Sequence, residues 1–124
     1  MKPISVIIYL PPITKKNSQQ ILYVKGRRII APSKNYKKYE YESGVFLDDL
    51  KYREIEEPVN IKCVYYMPTR RRVDLVNLQE ATLDVLVKYG VIKDDHCGIV
   101  MSMDGSRVFY DRKSPRTEIE ITPI

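Results

Sequence analysis

The 124-residue sequence holds one histidine and two cysteines, too few soft ligands for a zinc site built from four side chains. Cys63 and Cys97 lie far apart with no Cys-x-x-Cys spacing, and they read as two reduced thiols in a cytosolic protein. The lone His96 is a poor basis for a serine or cysteine triad. No apolar run approaches the roughly 18 residues that span a bilayer, so a membrane protein is not expected. The opening MKPISVIIYLPP has too short an apolar stretch for a secretory signal and no small-residue cleavage site, and it reads as a first strand. The expected location is therefore cytoplasmic. Repeats, low-complexity tracts and linkers are also missing, which leaves a single domain over residues 1–124.

What is present is a balanced composition, 44% hydrophobic and 30% charged, suited to a folded chain with a modest core. The net charge is +5, a moderate footprint for a polyanionic partner. The basic residues cluster at Lys15-Lys16, Lys25 to Arg28, Lys34 to Lys38 and Arg70 to Arg72. Such runs are either solvated surface or contacts for nucleic-acid phosphates.

Residues 4–10 (ISVIIYL) are β-branched and end at Pro11-Pro12, as a strand would. The stretch ILYVKGRRIIAP places two apolar runs around Lys25-Gly26, which predicts a hairpin carrying Arg27 and Arg28 at its tip. Pro32-Ser33 then caps a helix expected over about 34–50, with Tyr36, Tyr39, Phe46 and Leu50 on one face and Gly44 tolerated inside it. Residues 59–67 (VNIKCVYYM) alternate as a long strand. A second helix follows, in which Leu75, Leu78, Thr82, Val85, Leu86 and Tyr89 keep helical spacing before a stop at Gly90. Strands over 98–103 and 107–110 flank Asp104-Gly105 as a second predicted hairpin, and 117–121 is a last strand. The order β-β-β-α-β-α-β-β-β points to an α+β domain, a mixed sheet with two main helices packed on it.

Acidic residues gather near turn signals in two places. Asp74 opens the second helix, with Asn77, Glu80 and Asp84 further along it, and Asp94-Asp95 lies in the loop beyond its end. The helix between them would be about 21 Å long, so the loop cannot meet Asp74 by folding straight back. Mg²⁺ takes oxygen ligands, commonly one or two carboxylates with water and substrate phosphate, and the neighbouring arginines 70–72 suit phosphates. Plainer roles compete. Asp74 is a good N-cap, Asp84 can pair with Lys88 on a solvated face, and Asp94-Asp95 can be a polar turn. From the residues alone the reading stops at a metal-dependent nucleic-acid enzyme.

RRVDLVNLQEATLDVLVKYGVIKDD, residues 71–95, resembles the RusA-type Holliday-junction resolvases, small homodimeric endonucleases of bacteria and their phages. Asp74, Asn77-Leu78, Ala81, Leu83-Asp84, Leu86, Gly90 and Asp94-Asp95 fall in the family register. The opening strand with PPITKKNSQQ, the APSKNYKKYE segment and the closing SPRTEIEI also resemble that family. The resemblance implies Mg²⁺-dependent hydrolysis of phosphodiesters in DNA recombination and repair, by a homodimer that nicks opposing strands of a four-way junction. It makes Asp74 and Asp95 the metal carboxylates, with Asp94 beside them and Asn77 a neighbour. Lys15, Lys16, Arg27, Arg28, Arg70, Arg71 and Arg72 become the expected DNA contacts. Two positions depart: the family's second aspartate is Val76, and its lysine is Glu80. Glu80, about 120° around the helix from Asp74, and Asp104 are the two candidate replacement ligands. The alternative is a catalytically impaired protein of the same fold that still binds branched DNA.

Overall fold

The computed structural model describes residues 1–15, 19–32 and 34–124, with the side chains of 19–21, 31 and 32 left aside. Its elements run β1 (Ile4–Ile8), β2 (Gln19–Val24), β3 (Arg27–Pro32), α1 (Lys34–Ser43), β4 (Val59–Met67), α2 (Leu75–Lys88), β5 (Val100–Ser102), β6 (Arg107–Tyr110) and β7 (Arg116–Pro123). This is the expected order, and the α+β class holds. The main sheet has five strands in the order β1-β7-β4-β5, with β6 also on β4, while β2 and β3 form a separate two-stranded sheet. Ser33, the expected cap of α1, lies outside the described residues.

Strict alternation makes β4 the centre of the core. Val59, Ile61, Cys63 and Tyr65 are all buried, while the residues between them are only partly covered. They pack with Ile119 and Ile121 of β7 and with Leu78, Val85 and Leu86 of α2. A polar pair is sealed in the same layer: Tyr65 Oη and Thr82 Oγ1 lie 2.7 Å apart, and Thr82 also donates to the Leu78 carbonyl.

The first helix is shorter than the sequence predicts. The α-helix ends at Ser43, and Gly44–Leu47 tightens into a 3₁₀ turn. A side chain at Gly44 would meet the Tyr89 ring at 2.8 Å, so the residue marks a close approach by α2. Tyr89 Oη donates to the carbonyl of Glu40 at 2.8 Å and locks that approach. Of the predicted apolar face, Tyr36, Tyr39 and Leu50 are buried, whereas Phe46 is only partly covered and the 3₁₀ turn sends Leu47 into the core in its place.

The second predicted hairpin does not form. β5 and β6 do not pair with each other; each pairs in parallel with β4, β5 at its start and β6 at its end. Asn60 holds the link between them, donating to the Asp104 carbonyl and accepting from Ser102 Oγ and the Asp104 amide. Asp104-Gly105 is thus a bulge-like detour along one sheet edge. The first predicted hairpin is present, with Lys25 and Gly26 at φ of 52° and 75°, the two left-handed residues that a type I′ turn needs.

Candidate active site

Asp74 is the N-cap of α2. Its Oδ1 accepts the amide of Val76 at 2.9 Å and that of Asn77 at 3.4 Å, while its own carbonyl takes the amide of Leu78. The other oxygen, Oδ2, accepts nothing among the described residues, and Asp74 as a whole is exposed. Helix N-termini present unsatisfied amides and partial positive charge, which suit carboxylates and phosphates alike. The far end is closed by a Schellman arrangement, with Gly90 at φ 67° and the Val91 amide on the Leu86 carbonyl.

The arginines reach this end of the helix on the loop from β4. Arg71 and Arg72 are exposed and, with Pro12, Thr14, Met67 and Val73, line an open recess of about 420 Å³. Arg70 instead lies over the Tyr110 ring at 4.2 Å, where the aromatic face of β6 holds its guanidinium. Tyr110 carried no signal in the sequence, because its nearness to Arg70 depends on the parallel register that sets Tyr110 beside Met67.

The other acids lie elsewhere. Val91 to Lys93 run beside Ile55, and the Ile99 carbonyl accepts the Val59 amide. These contacts tie the Asp94-Asp95 loop to the start of β4, whereas Asp74 follows its end. The length of α2, about 21 Å for 14 residues, separates them. Both are exposed, and Asp94 Oδ1 accepts the Asp95 amide at 2.7 Å. Asp104 is fixed beside Asn60 at the start of β4 and does not approach Asp74. Glu80 is exposed on α2. Among the described residues no three His, Cys, Asp or Glu side chains gather where they could hold a metal ion. Within one chain, then, the described side chains do not fit a closed carboxylate set for Mg²⁺.

The remaining basic candidates divide. Lys15 is paired with the Asp84 carboxylate and sits 5.6 Å from the Tyr36 ring centre. The hydrogen bond to Asp84 raises the Lys15 pKa, with burial acting against it. Asp84 therefore answers to Lys15, while the expected partner Lys88 pairs with Glu40 at 2.7 Å. This exchange joins residues 69 apart in sequence, which no local pattern announces. Arg27 and Arg28 are exposed at the hairpin tip. Lys16 lies outside the described residues.

A family model, Endodeoxyribonuclease RusA, matches residues 10–122. The chain belongs to the RusA endodeoxyribonuclease family. No curated protein matches it. Membership implies nuclease activity on branched DNA of the Holliday-junction type, and it gives the arginine-flanked end of α2 a chemical context. In this RusA-family chain Val76 stands in the first turn of α2 and is 66% exposed. It buries nothing that a carboxylate there would disturb. No helix of the described residues is long and apolar enough to cross a membrane.

Proposed function

We propose that the chain is a Mg²⁺-dependent, homodimeric endonuclease that resolves four-way DNA junctions by paired nicks, in a bacterial or phage recombination system. The observation that carries this reading is Asp74, exposed at the N-terminus of α2 with one carboxylate oxygen unused, beside Arg71 and Arg72. The arginines bind the phosphates that flank the scissile bond, and the helix terminus adds amide dipoles directed at the same charge. When bound, Mg²⁺ supplies water activation and stabilisation of the leaving oxygen. The described side chains of one chain do not close its ligand set, so in this reading the substrate phosphate and the Asp94-Asp95 loop of a second copy supply the missing oxygens.

The test is cutting of a synthetic four-way junction in Mg²⁺ by wild type, by Asp74→Asn, by Asp95→Asn, and by a heterodimer of the two variants. A site shared between copies leaves one intact site in the heterodimer, so single-strand nicking returns. A site held within one chain leaves both sites damaged, and nothing returns. Binding by wild type without cutting under Mg²⁺ or Mn²⁺ favours the second reading, a branched-DNA-binding protein with an impaired site. The exposed Val76 in place of a carboxylate is what recommends that alternative.

A further inference from the structure

The β2–β3 hairpin is a sheet of its own, apart from the five-stranded body. Two-stranded ribbons are marginal in water without a surface to lie against. This one leaves large apolar side chains bare on both of its faces. Tyr23 (74% exposed) and Ile30 (59%) share the face of Arg28, while Leu22, Val24 and Ile29 lie with Arg27 on the other. An arm packed on its own domain would hide one face, and among the described side chains of the arm, those of residues 22–30, neither face is hidden.

Charge tells what could cover it. Every charged residue between 19 and 32 is basic: Lys25, Arg27 and Arg28. The asymmetry extends further. Nine basic residues and no acidic residue precede Glu40, whereas residues 40–124 carry 12 basic against 16 acidic residues. The positive charge of the whole chain thus resides in the third that bears the arm, and the remainder is net negative. In a second copy of this chain nine of those sixteen acidic residues are already held in ion pairs. DNA presents a continuous line of phosphates, and its major groove, about 12 Å wide, admits a two-stranded ribbon.

We infer that the β2–β3 arm is a groove-binding ribbon that grips one duplex arm of a branched DNA. Lys25, Arg27 and Arg28 meet the phosphate walls, and Tyr23 and Ile30 lie against the base edges. This rests on the DNA reading above and adds to it an element remote from Asp74, made for holding substrate rather than for cutting it.

The experiment measures binding of the full chain to a synthetic four-way junction across salt concentrations. The variants are Arg27→Ala/Arg28→Ala, Arg27→Lys/Arg28→Lys and Tyr23→Ala/Ile30→Ala, with the sedimentation behaviour of each free protein as a companion readout. Loss of two phosphate contacts lowers the slope of log affinity against log salt by about 1.8. The lysine pair keeps that slope. Tyr23→Ala/Ile30→Ala weakens binding about 10-fold and leaves the slope alone, as loss of base contacts does. Binding by wild type with slope and affinity unchanged in all three variants overturns the arm proposal and leaves the DNA reading standing. A shift of the Tyr23→Ala/Ile30→Ala variant from dimer to monomer, with junction affinity per dimer unchanged, also overturns it and gives the arm to a second copy. No salt-dependent binding by wild type overturns the DNA reading itself.

Discussion

Asp74 carries two roles that one pair of substitutions separates. As a cap it satisfies two amides of α2 through Oδ1; in the proposed function its carboxylate also supplies the negative charge that a nuclease needs. Asparagine retains a side-chain oxygen and ranks with aspartate as a cap, so Asp74→Asn keeps the hydrogen bonds and removes the charge. Asp74→Ala removes both. Loss of a cap costs about 1 kcal/mol, and loss of the charge at a solvated helix N-terminus costs a further ~0.3–1 kcal/mol. Asp74→Ala should therefore destabilise by about 1–2 kcal/mol and Asp74→Asn by less than about 1 kcal/mol. For a domain of this size 1 kcal/mol moves Tm by about 4 °C.

Urea denaturation of both variants, at low and at high salt, measures the two parts. Salt screens the charge contribution, so Asp74→Asn should approach wild type as salt rises while Asp74→Ala keeps a deficit. Junction cutting in Mg²⁺ should be lost in both. Equal destabilisation of the two variants would refute the capping argument, because the hydrogen bonds would then contribute nothing measurable. Full cutting by Asp74→Asn would refute the catalytic assignment whatever the stability data showed.

Val76→Asp, at an exposed position in the first turn, should stabilise α2 by a few tenths of a kcal/mol through the helix dipole and raise cutting at limiting Mg²⁺ by at least about tenfold; unchanged cutting would mean that the site lacks no ligand. Of the two thiols, exposed Cys97 should react with a thiol reagent in the folded protein while buried Cys63 reacts only in urea, and two rapid modifications per native chain would contradict the burial. Burial pushes the Cys63 thiol up to about 12 from an ordinary 9.0 and raises the Tyr65 hydroxyl as well. Because the fold favours the protonated forms, this stability is complete below the ordinary pKa and is lost as pH rises towards the folded value, by roughly 1.4 kcal/mol per unit for each group. The urea midpoint should therefore fall between pH 8 and 10.5, more steeply in wild type than in Cys63→Ala, and parallel profiles would remove Cys63 from the account.

The parts of the fold that depend on neighbours in sequence were legible, and those that depend on distant ones were not. Asp74 and Gly90 bound α2 through bonds made within a few residues, so cap and stop could be read directly. The alternation of Val59, Ile61, Cys63 and Tyr65 likewise declares a strand buried on one face. Asp104-Gly105 has good hairpin chemistry, yet β5 and β6 spend their backbone bonds on β4 instead. Asn60, more than 40 residues away, secures that choice. Gly44 misled for the same reason. A glycine in a helical pattern is tolerated locally, and the reason for this one, the Tyr89 ring that leaves no room for a side chain at 44, arrives from another part of the chain.

The candidate site shows how far a matching register reaches. The expected register runs from Asp74 to Asp95 within the matched residues 10–122, and α2 occupies the interval as expected. A 14-residue helix, however, sets its two ends about 21 Å apart, and the chain does not recover that distance, since Asp94-Asp95 joins the start of β4 while Asp74 follows its end. Register describes order along a chain, whereas an ion needs oxygens converging on a point about 2 Å from each. In a two-fold dimer with α2 helices set antiparallel, the end carrying Asp74 in one copy lies beside the end carrying Asp95 in the other. Such a dimer turns the separation within a chain into proximity between chains. The heterodimer of Asp74→Asn and Asp95→Asn measures this directly, because it nicks one strand if the ligands are shared and neither strand if they are not.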